Sequence, residues 1–474
     1  MYQLDLEMLM LAKRLRTSRA IRSESDQRHE FESDASRATF CAAVRRMHDK
    51  TQVFPLTTGD YVHTRLTHSQ EVQQIALSLG VSFCRSDEFR EMYKEKAHEY
   101  ETQICTILGT AGLLHDVGNP PFGHCAEEVI SDYFAKSVLG AQYLALLQND
   151  DEKLDFLNFD GNAEGFRVIT KLQYLGDTYG LNLSLPVLGS YLKYPNYSKC
   201  SKKYIGLKKH GVFTSESKYL EEIANTFNLH TEDGRIKRYP FSFLVEAADT
   251  ICYRTMDIED GLSMGWLSLD EVCKDINAYV NAHVEAKYFK PEWLEKDEFS
   301  IQKMLYLEDT TNLPENYVKF RVGLVRHLVE VAFKNFIENL DKIDSGEYSH
   351  ELLDGDTLHI EEALKSVEIS KLFCLKDVVM AEMTGSSVIR GLLDLTLPRI
   401  FANDRRLETI LPQSMLRAVH EECGLYNPKE DREFKTQMDK VSPYYKLRLI
   451  VDWIAGMTDQ YAVHMFRKLN GTNL

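Results

Sequence analysis

The sequence predicts an all-α protein. Three observations carry that expectation: apolar residues recur at three- and four-residue steps along most of the chain, the 474 residues are 44% hydrophobic and 11% aromatic, and neither an internal repeat nor a low-complexity tract interrupts the pattern. Such a chain can bury a large core as one elaborated domain or two intimate ones. With 56 basic against 72 acidic residues the net charge is -16, which argues against a basic surface that wraps nucleic acid but leaves room for a local basic pocket. The nine cysteines show no C-x-x-C spacing, so neither a disulfide framework nor a cysteine zinc site is expected, and a reducing cytosol fits best. Met1 to Ala12 carry Asp5 and Glu7 without a basic leader, unlike a signal peptide, and no apolar run approaches membrane-spanning length.

In chain order, Leu4 to Arg16 reads as a short amphipathic helix and Arg19 to Arg37 as a polar arm, either solvated or covering a cleft. Arg37 to Lys50 is helical in composition, and Val53 to Asp60 reads as a turn. Val72, Ile75, Ala76 and Leu79 mark a helix that begins close to His68. Ile104, Ile107, Leu108, Ala111 and Leu114 define a second, which breaks off at His115-Asp116 because Gly118 and Pro120-Pro121 cannot continue it. That turn is expected to bring His124 and Glu127 back toward the helix end. Val129, Ile130, Tyr133 and Phe134 extend the helical pattern, Asn149 to Asp155 reads as an acidic surface loop, and Phe159 to Gly165 as a tight loop before Phe166, Ile169 and Leu172.

Lys193 to Lys209 is the markedly basic stretch, with Lys199, Lys202, Lys203 and Lys208 between its ends. Phe243, Leu244, Ala247, Ala248 and Ile251 form the apolar face of a helix on which Asp249, Tyr253 and Asp257 share another face at four-residue steps. From about residue 270 the chain is helical again, with acidic loops near Asp309 and at Asp341 to Asp356.

Two His-Asp dipeptides show that the pair alone means little. His48-Asp49 sits in a polar run and reads as a solvated helix face, whereas His115-Asp116 ends an apolar helix before a rigid turn, where burial requires a partner or a metal. Singly, His68 could be a helix-terminal or core histidine, and Asp249 could pair with a nearby Lys or Arg. Together, His68, His115, Asp116 and Asp249 make a mixed nitrogen and oxygen donor set suited to Mn, Fe, Co, Mg or Zn.

The segments Lys50-Thr51-Gln52-Val53-Phe54-Pro55-Leu56, Arg65-Leu66-Thr67-His68-Ser69, Gly118-Asn119-Pro120-Pro121-Phe122-Gly123-His124, Glu246-Ala247-Ala248-Asp249 and Gly456-Met457-Thr458-Asp459 closely resemble the bacterial dGTPase (deoxyguanosine triphosphate triphosphohydrolase) family of HD-domain phosphohydrolases. The resemblance runs nearly end to end, with little to match between about 270 and 370. It implies an HD-domain helical fold with additional C-terminal helices, divided as a core over 1–300 and a C-terminal region over 301–474 packed on it. It also implies hydrolysis of dGTP, or other dNTPs, to deoxynucleoside and triphosphate, with a divalent cation, Mn or Mg before Fe, Co or Zn, on the four ligands. His124 and Glu127 match the family's catalytic pair, and Glu127 could otherwise be a first-turn acid favoured by the helix dipole.

Arg65, Lys193 and Lys209 match positions that neutralise the triphosphate, or else are ordinary surface charges. Tyr253 and Asp257 match positions that pack the deoxyribose and bind its 3′-hydroxyl; the alternatives are a core tyrosine and a solvated acid. Gln52 and Asn162 match positions near the substrate but could cap turns, and Glu382 is a candidate to read the base. The resemblance further implies a hexamer or dimer, a cytoplasmic location, no membrane partner, and a nucleotide or single-stranded DNA as a candidate effector.

The four ligands alone also suit an HD phosphohydrolase of monophosphates or cyclic nucleotides, against which the lysine-rich stretch argues. A nucleotide-sensing, DNA-binding assembly is disfavoured by the intact ligand set with His124 and Glu127. No Walker A or H-E-x-x-H segment supports P-loop or zincin chemistry.

Overall fold

The protein, analysed as a computed structural model, is described over residues 2–16, 25–52, 54–56, 62–173, 179–198, 200–283, 313–353, 358–428 and 433–472. Among the described residues it is helical with no β-sheet; extended pairing is limited to the isolated bridges Arg14 with Ser184, Thr51 with Thr64 and His230 with Ile236. No described helix is long and apolar enough to cross a membrane.

Two helices form the centre. Arg65–Arg85 (α1) starts in a reciprocal cap, where the Thr64 hydroxyl accepts the Thr67 N–H and the Thr67 hydroxyl accepts the Thr64 N–H, which places His68 in the first turn. Its buried Val72, Ala76, Leu79 and Phe83 face Ile104, Ile107, Leu108 and Ala111 of Ala97–Leu114 (α2). Each of these side chains larger than alanine contributes about 1.5–3 kcal/mol by leaving water. The backbones come close because Gly112 has no Cβ: one there would lie 3.3 Å from the Gln73 nitrogen. His124–Lys136 (α3) follows the turn after α2, and Gly161–Arg167 (α4) and Ser242–Ser263 (α5) complete the walls of the site. Lys376–Phe401 (α6) packs on α3, and Pro443–Ala455 (α7) and Asp459–Leu469 (α8) pack on α6.

A buried ionic network ties α4 to the C-terminal helices. The fully buried Arg167 donates to Asp452 (2.7 Å), Glu216 (2.7 Å) and Glu422 (2.9 Å), and Arg448 donates to Glu164 (2.7 Å) and Asp452 (2.5 Å). Burial by itself would raise the Glu422 carboxyl, but Arg167 and Lys171 override it and hold the group at about 2.

Several local expectations are corrected. Leu4 to Arg16 is helical only at Leu6–Leu9, because Arg14 is drawn away to Glu30, Asp34 and the Asn182 carbonyl. Within the polar arm, Glu30–Phe40 is a helix that buries Phe31 and Asp34 behind a His29 cap. Asn149 to Asp155 is not a loop: Asn149 caps Asp150–Leu157, whose acidic first turn suits the positive helix end. Asp155 is buried there, accepting from Thr214 N (3.0 Å) and Tyr444 Oη (2.7 Å). The glycines of Phe159 to Gly165 open α4 rather than a loop, and serve close packing. Leu340–Ser345 is likewise a helix within the expected acidic loop. His48 and Asp49 are exposed as expected. Residues 19–24 of the arm, Val53 and 57–60 of the expected turn, Lys199, the segment around Asp309 and residues 354–356 of the second acidic loop lie outside the described residues.

His63, just before α1, joins three helices. Its Nδ1 lies 2.7 Å from Asp260, its Nε2 3.6 Å from Glu71, and Arg321 of Leu313–Glu338 pairs with Glu71 at 2.6 Å. Burial would lower its pKa, but Asp260 and Glu71 more than compensate and raise it to about 9. A pKa raised on folding gives stability that is full below the unfolded value of about 6.5 and fades as pH rises through the folded one. His63→Gln should therefore lower the melting temperature more at about pH 6 than at about pH 10. A gap between variant and parent that does not narrow with rising pH would contradict this.

Candidate active site

At the end of α2 four side chains converge. His68 of α1 places Nε2 3.2 Å from Asp249 Oδ1 on α5, and His115 Nε2 lies 3.5 Å from the same oxygen and 3.4 Å from Asp116 Oδ1. The two imidazole rings meet edge to face at 5.1 Å. His68, His115 and Asp116 form a group able to hold a metal ion, and Asp249 borders both histidines. The donor chemistry fits a divalent cation. The Gly112 carbonyl lies 2.7 Å from His115 Nδ1 and takes its proton, which turns a buried Nε2 without a hydrogen-bond partner toward the carboxylates. Burial would lower the His115 pKa, but Asp116 and Asp249 raise it to about 9, so a cation would compete with a well-held proton.

A surrounding layer orients these groups. Arg65 Nη1 donates to Asp116 Oδ2 at 2.8 Å, and Asn119 donates to Asp116 Oδ1. Lys193 Nζ sits 3.9 Å from Asp249 and 3.5 Å from the buried Glu246, which also pairs with Arg238 at 2.5 Å.

The turn from Val117 to Gly123 is forced by close contacts. A Cβ on Gly118 would fall 1.9 Å from the Gly165 nitrogen, so the turn lies directly on α4. Phe122 and Gly123 are both left-handed, with φ of 66° and 60°. For a bulky residue this is a strained state, which costs on the order of 1–3 kcal/mol and persists only where its surroundings impose it. Here the Phe122 N–H donates to Asp459 Oδ1 at 3.0 Å and its ring packs over Gly385 of α6.

His124 then opens α3 with an exposed ring whose Nδ1 lies 2.8 Å from Glu127 Oε2, and the buried Glu127 also accepts the Gly161 N–H at 2.8 Å. Glu127 raises the His124 pKa by hydrogen bond and charge, and that same bond keeps Glu127 ionised although burial opposes it. The dyad faces a cleft of about 870 Å³ that Lys209 and His210 also line. Arg65 links it to the donor set, since its Nη2 lies 2.7 Å from where a Gly123 Cβ would be.

The remaining candidates divide. Gln52 is half-buried, with an Oε1 that has no hydrogen-bond partner. Lys209 pairs with Asp160 at 2.7 Å, and Asn162 donates its side chain to the same Asp160, which is itself the N-cap of α4. Tyr253 lies under the Arg254 guanidinium, 4.3 Å from its ring centre, and the buried Asp257 is pushed well upward by burial, Glu368 and Asp260. Glu382 is exposed on α6, where its carbonyl accepts the Cys125 thiol at 3.5 Å beside the first turn of α3. Sequence reasoning left Lys50, Asn119, Glu246, Arg238 and Asp459 without individual roles. Four of the five stand in the recognised segments; Arg238 lies outside them and carried no such signal.

Comparison with known proteins agrees with this geometry. The Phosphohydrolase-associated domain matches residues 413–468. The chain is 34% identical to a deoxyguanosinetriphosphate triphosphohydrolase-like protein of Listeria innocua, with 98% of both chains covered. It is 31% identical to one of Pseudomonas aeruginosa over 94% of each chain. Identity is 28% to a deoxyguanosinetriphosphate triphosphohydrolase of Klebsiella pneumoniae, covering 96% of this chain and 97% of that one. With a donor set that fits a cation, a His-Glu dyad beside it and relatives that align over nearly its whole length, this chain belongs to the deoxyguanosinetriphosphate triphosphohydrolase family.

Proposed function

We propose that this protein hydrolyses dGTP, alone or among other dNTPs, to the deoxynucleoside and inorganic triphosphate. The observation that carries the reading is the juxtaposition of the His68, His115, Asp116 and Asp249 cluster with the His124–Glu127 dyad, joined through Arg65. In the reaction a water oxygen bonds to the α-phosphorus, the bond from phosphorus to O5′ breaks, and O5′ gains a proton. His124, whose contact with Glu127 supports this role, would move that proton or guide in-line attack. A divalent cation, Mn or Mg first and Fe, Co or Zn next, would be held by the four ligands and would supply charge neutralisation and a more acidic water.

Arg65, Lys193 and Lys209 offset the triphosphate charge, and Lys209 would exchange Asp160 for phosphate. Tyr253 and Asp257 take the sugar and its 3′-hydroxyl, Gln52 and Asn162 border the substrate, and Glu382 reads the base. The division at residue 300, a hexameric or dimeric state, a cytoplasmic location and control by a nucleotide or single-stranded DNA belong to the same reading. Product chromatography after incubation with each of the four dNTPs and added Mn or Mg tests it. Deoxyguanosine and triphosphate should appear from dGTP in one step; dGMP or dGDP as the first product would reject it.

A further inference from the structure

Asp459 begins α8, far along the chain from every catalytic or metal-binding candidate, yet it is buried with both carboxylate oxygens committed to the active-site framework. Oδ1 accepts the N–H of Phe122 at 3.0 Å, and Oδ2 accepts the N–H of Thr51 at 3.0 Å. Beside it the buried Lys50 Nζ donates to the carbonyls of Asn119 (2.5 Å) and Ala455 (2.8 Å). The Lys50 carbonyl in turn accepts the Arg65 N–H at 2.9 Å. Two chains of bonds therefore leave the start of α8. One reaches the strained Phe122–Gly123 turn and ends on His124, and the other passes through Thr51 and Lys50 to the start of α1 and the Arg65 that holds Asp116.

We infer that Asp459 is a positioning residue of the active site: with Lys50 it clamps the Phe122–Gly123 turn in its left-handed shape, so that the C-terminal helices set where His124 stands. The physical reason is specific to this geometry. A phenylalanine does not stay left-handed unless its surroundings require it, and His124 is two residues further on, so any relaxation of Phe122 rotates the imidazole away from its working position. A carboxylate suits the task because it accepts two backbone N–H groups with charge-assisted bonds and offers no competing donor. Asparagine keeps one acceptor oxygen and turns an N–H₂ toward the other donor, and alanine keeps neither.

The inference rests on the catalytic reading of His124, and the experiment separates the two. Steady-state kinetics with dGTP and Mn would be measured on the full chain for Asp459→Asn, Asp459→Ala, His124→Ala and the double variants, with circular dichroism and melting curves confirming the fold. Misplacing a catalytic group by about 1 Å costs roughly 10²-fold, so Asp459→Ala should lower kcat by about that factor with KM changed less than about threefold. Asp459→Asn should fall between it and the parent. In the His124→Ala background either change should cost less than about a further threefold, because the group it positions is gone.

If Asp459→Ala does not fold, Asp459→Asn carries the same cycle. Unchanged kcat in the Asp459 variants beside an inactive His124→Ala would overturn the clamp alone. Equal fractional losses with and without His124 would also overturn it, by reducing Asp459 to a general structural part. Full turnover in His124→Ala would overturn the catalytic reading and the clamp with it.

Discussion

Replacing His124 by Ala is expected to cut dGTP turnover by about 10²- to 10⁴-fold, the usual loss when a positioned acid or base is removed, and saturating substrate should not restore it. Cation binding should survive the change. His124 lies on the far side of the Gly118–Gly123 turn from His68, His115, Asp116 and Asp249, and its polar partner is Glu127, not a member of that set. The two functions are thus carried by different elements: the donor set by α1, α5 and the two residues that follow α2, the dyad by the first turn of α3. Calorimetric titration of the variant with Mn, run beside steady-state assays, checks both halves. Near-normal turnover, or loss of the cation along with activity, would reject this division of labour.

Replacing Arg167 by Ala should destabilise the fold by about 3–5 kcal/mol, the range found when one partner of a buried ion pair is removed. Burial disfavours the Arg167 charge, yet Asp452, Glu422 and Glu216 hold its pKa well above the ordinary value, so the guanidinium stays charged and central. Without it, Glu216 loses its ion pair, Glu422 keeps Lys171 and Asp452 keeps Arg448. Lysine should rescue little, because a single ammonium cannot reproduce a planar fork that reaches three carboxylates. Urea unfolding followed by circular dichroism measures the effect. A loss below about 1 kcal/mol would show that the remaining cations suffice.

How much of this was legible in the sequence depends on how far apart the partners lie. The apolar faces of α1 and of the first half of α2 are readable because each buries one side there, and the spacing of Val72, Ala76 and Leu79 or Ile104, Leu108 and Ala111 records it directly. The acids of Asn149 to Asp155 mislead because the first turn of a helix and a solvated loop favour the same residues. Asp155 is tolerated inside through Thr214 and Tyr444, 59 and 289 residues away. Leu4 to Arg16 fails for the same cause, since Arg14 takes its conformation from Asp34 and Asn182. In the site, chemistry marks the histidines and Asp116 by type and by the glycine and proline that follow. Nothing local marks Lys50 or Asp459 as more than an ordinary lysine and a helix-start acid, because their partners are 405 and 337 residues distant.

The bond between Phe122 and Asp459 also bears on the order in which the protein is made. Synthesis from the N-terminus delivers the whole donor set by residue 249, but the acceptor that the Phe122 N–H needs is not yet joined to the chain. A nascent polypeptide on the ribosome could therefore assemble a cation site while its catalytic turn is still free to relax, and hydrolysis would begin only after α8 has emerged and docked.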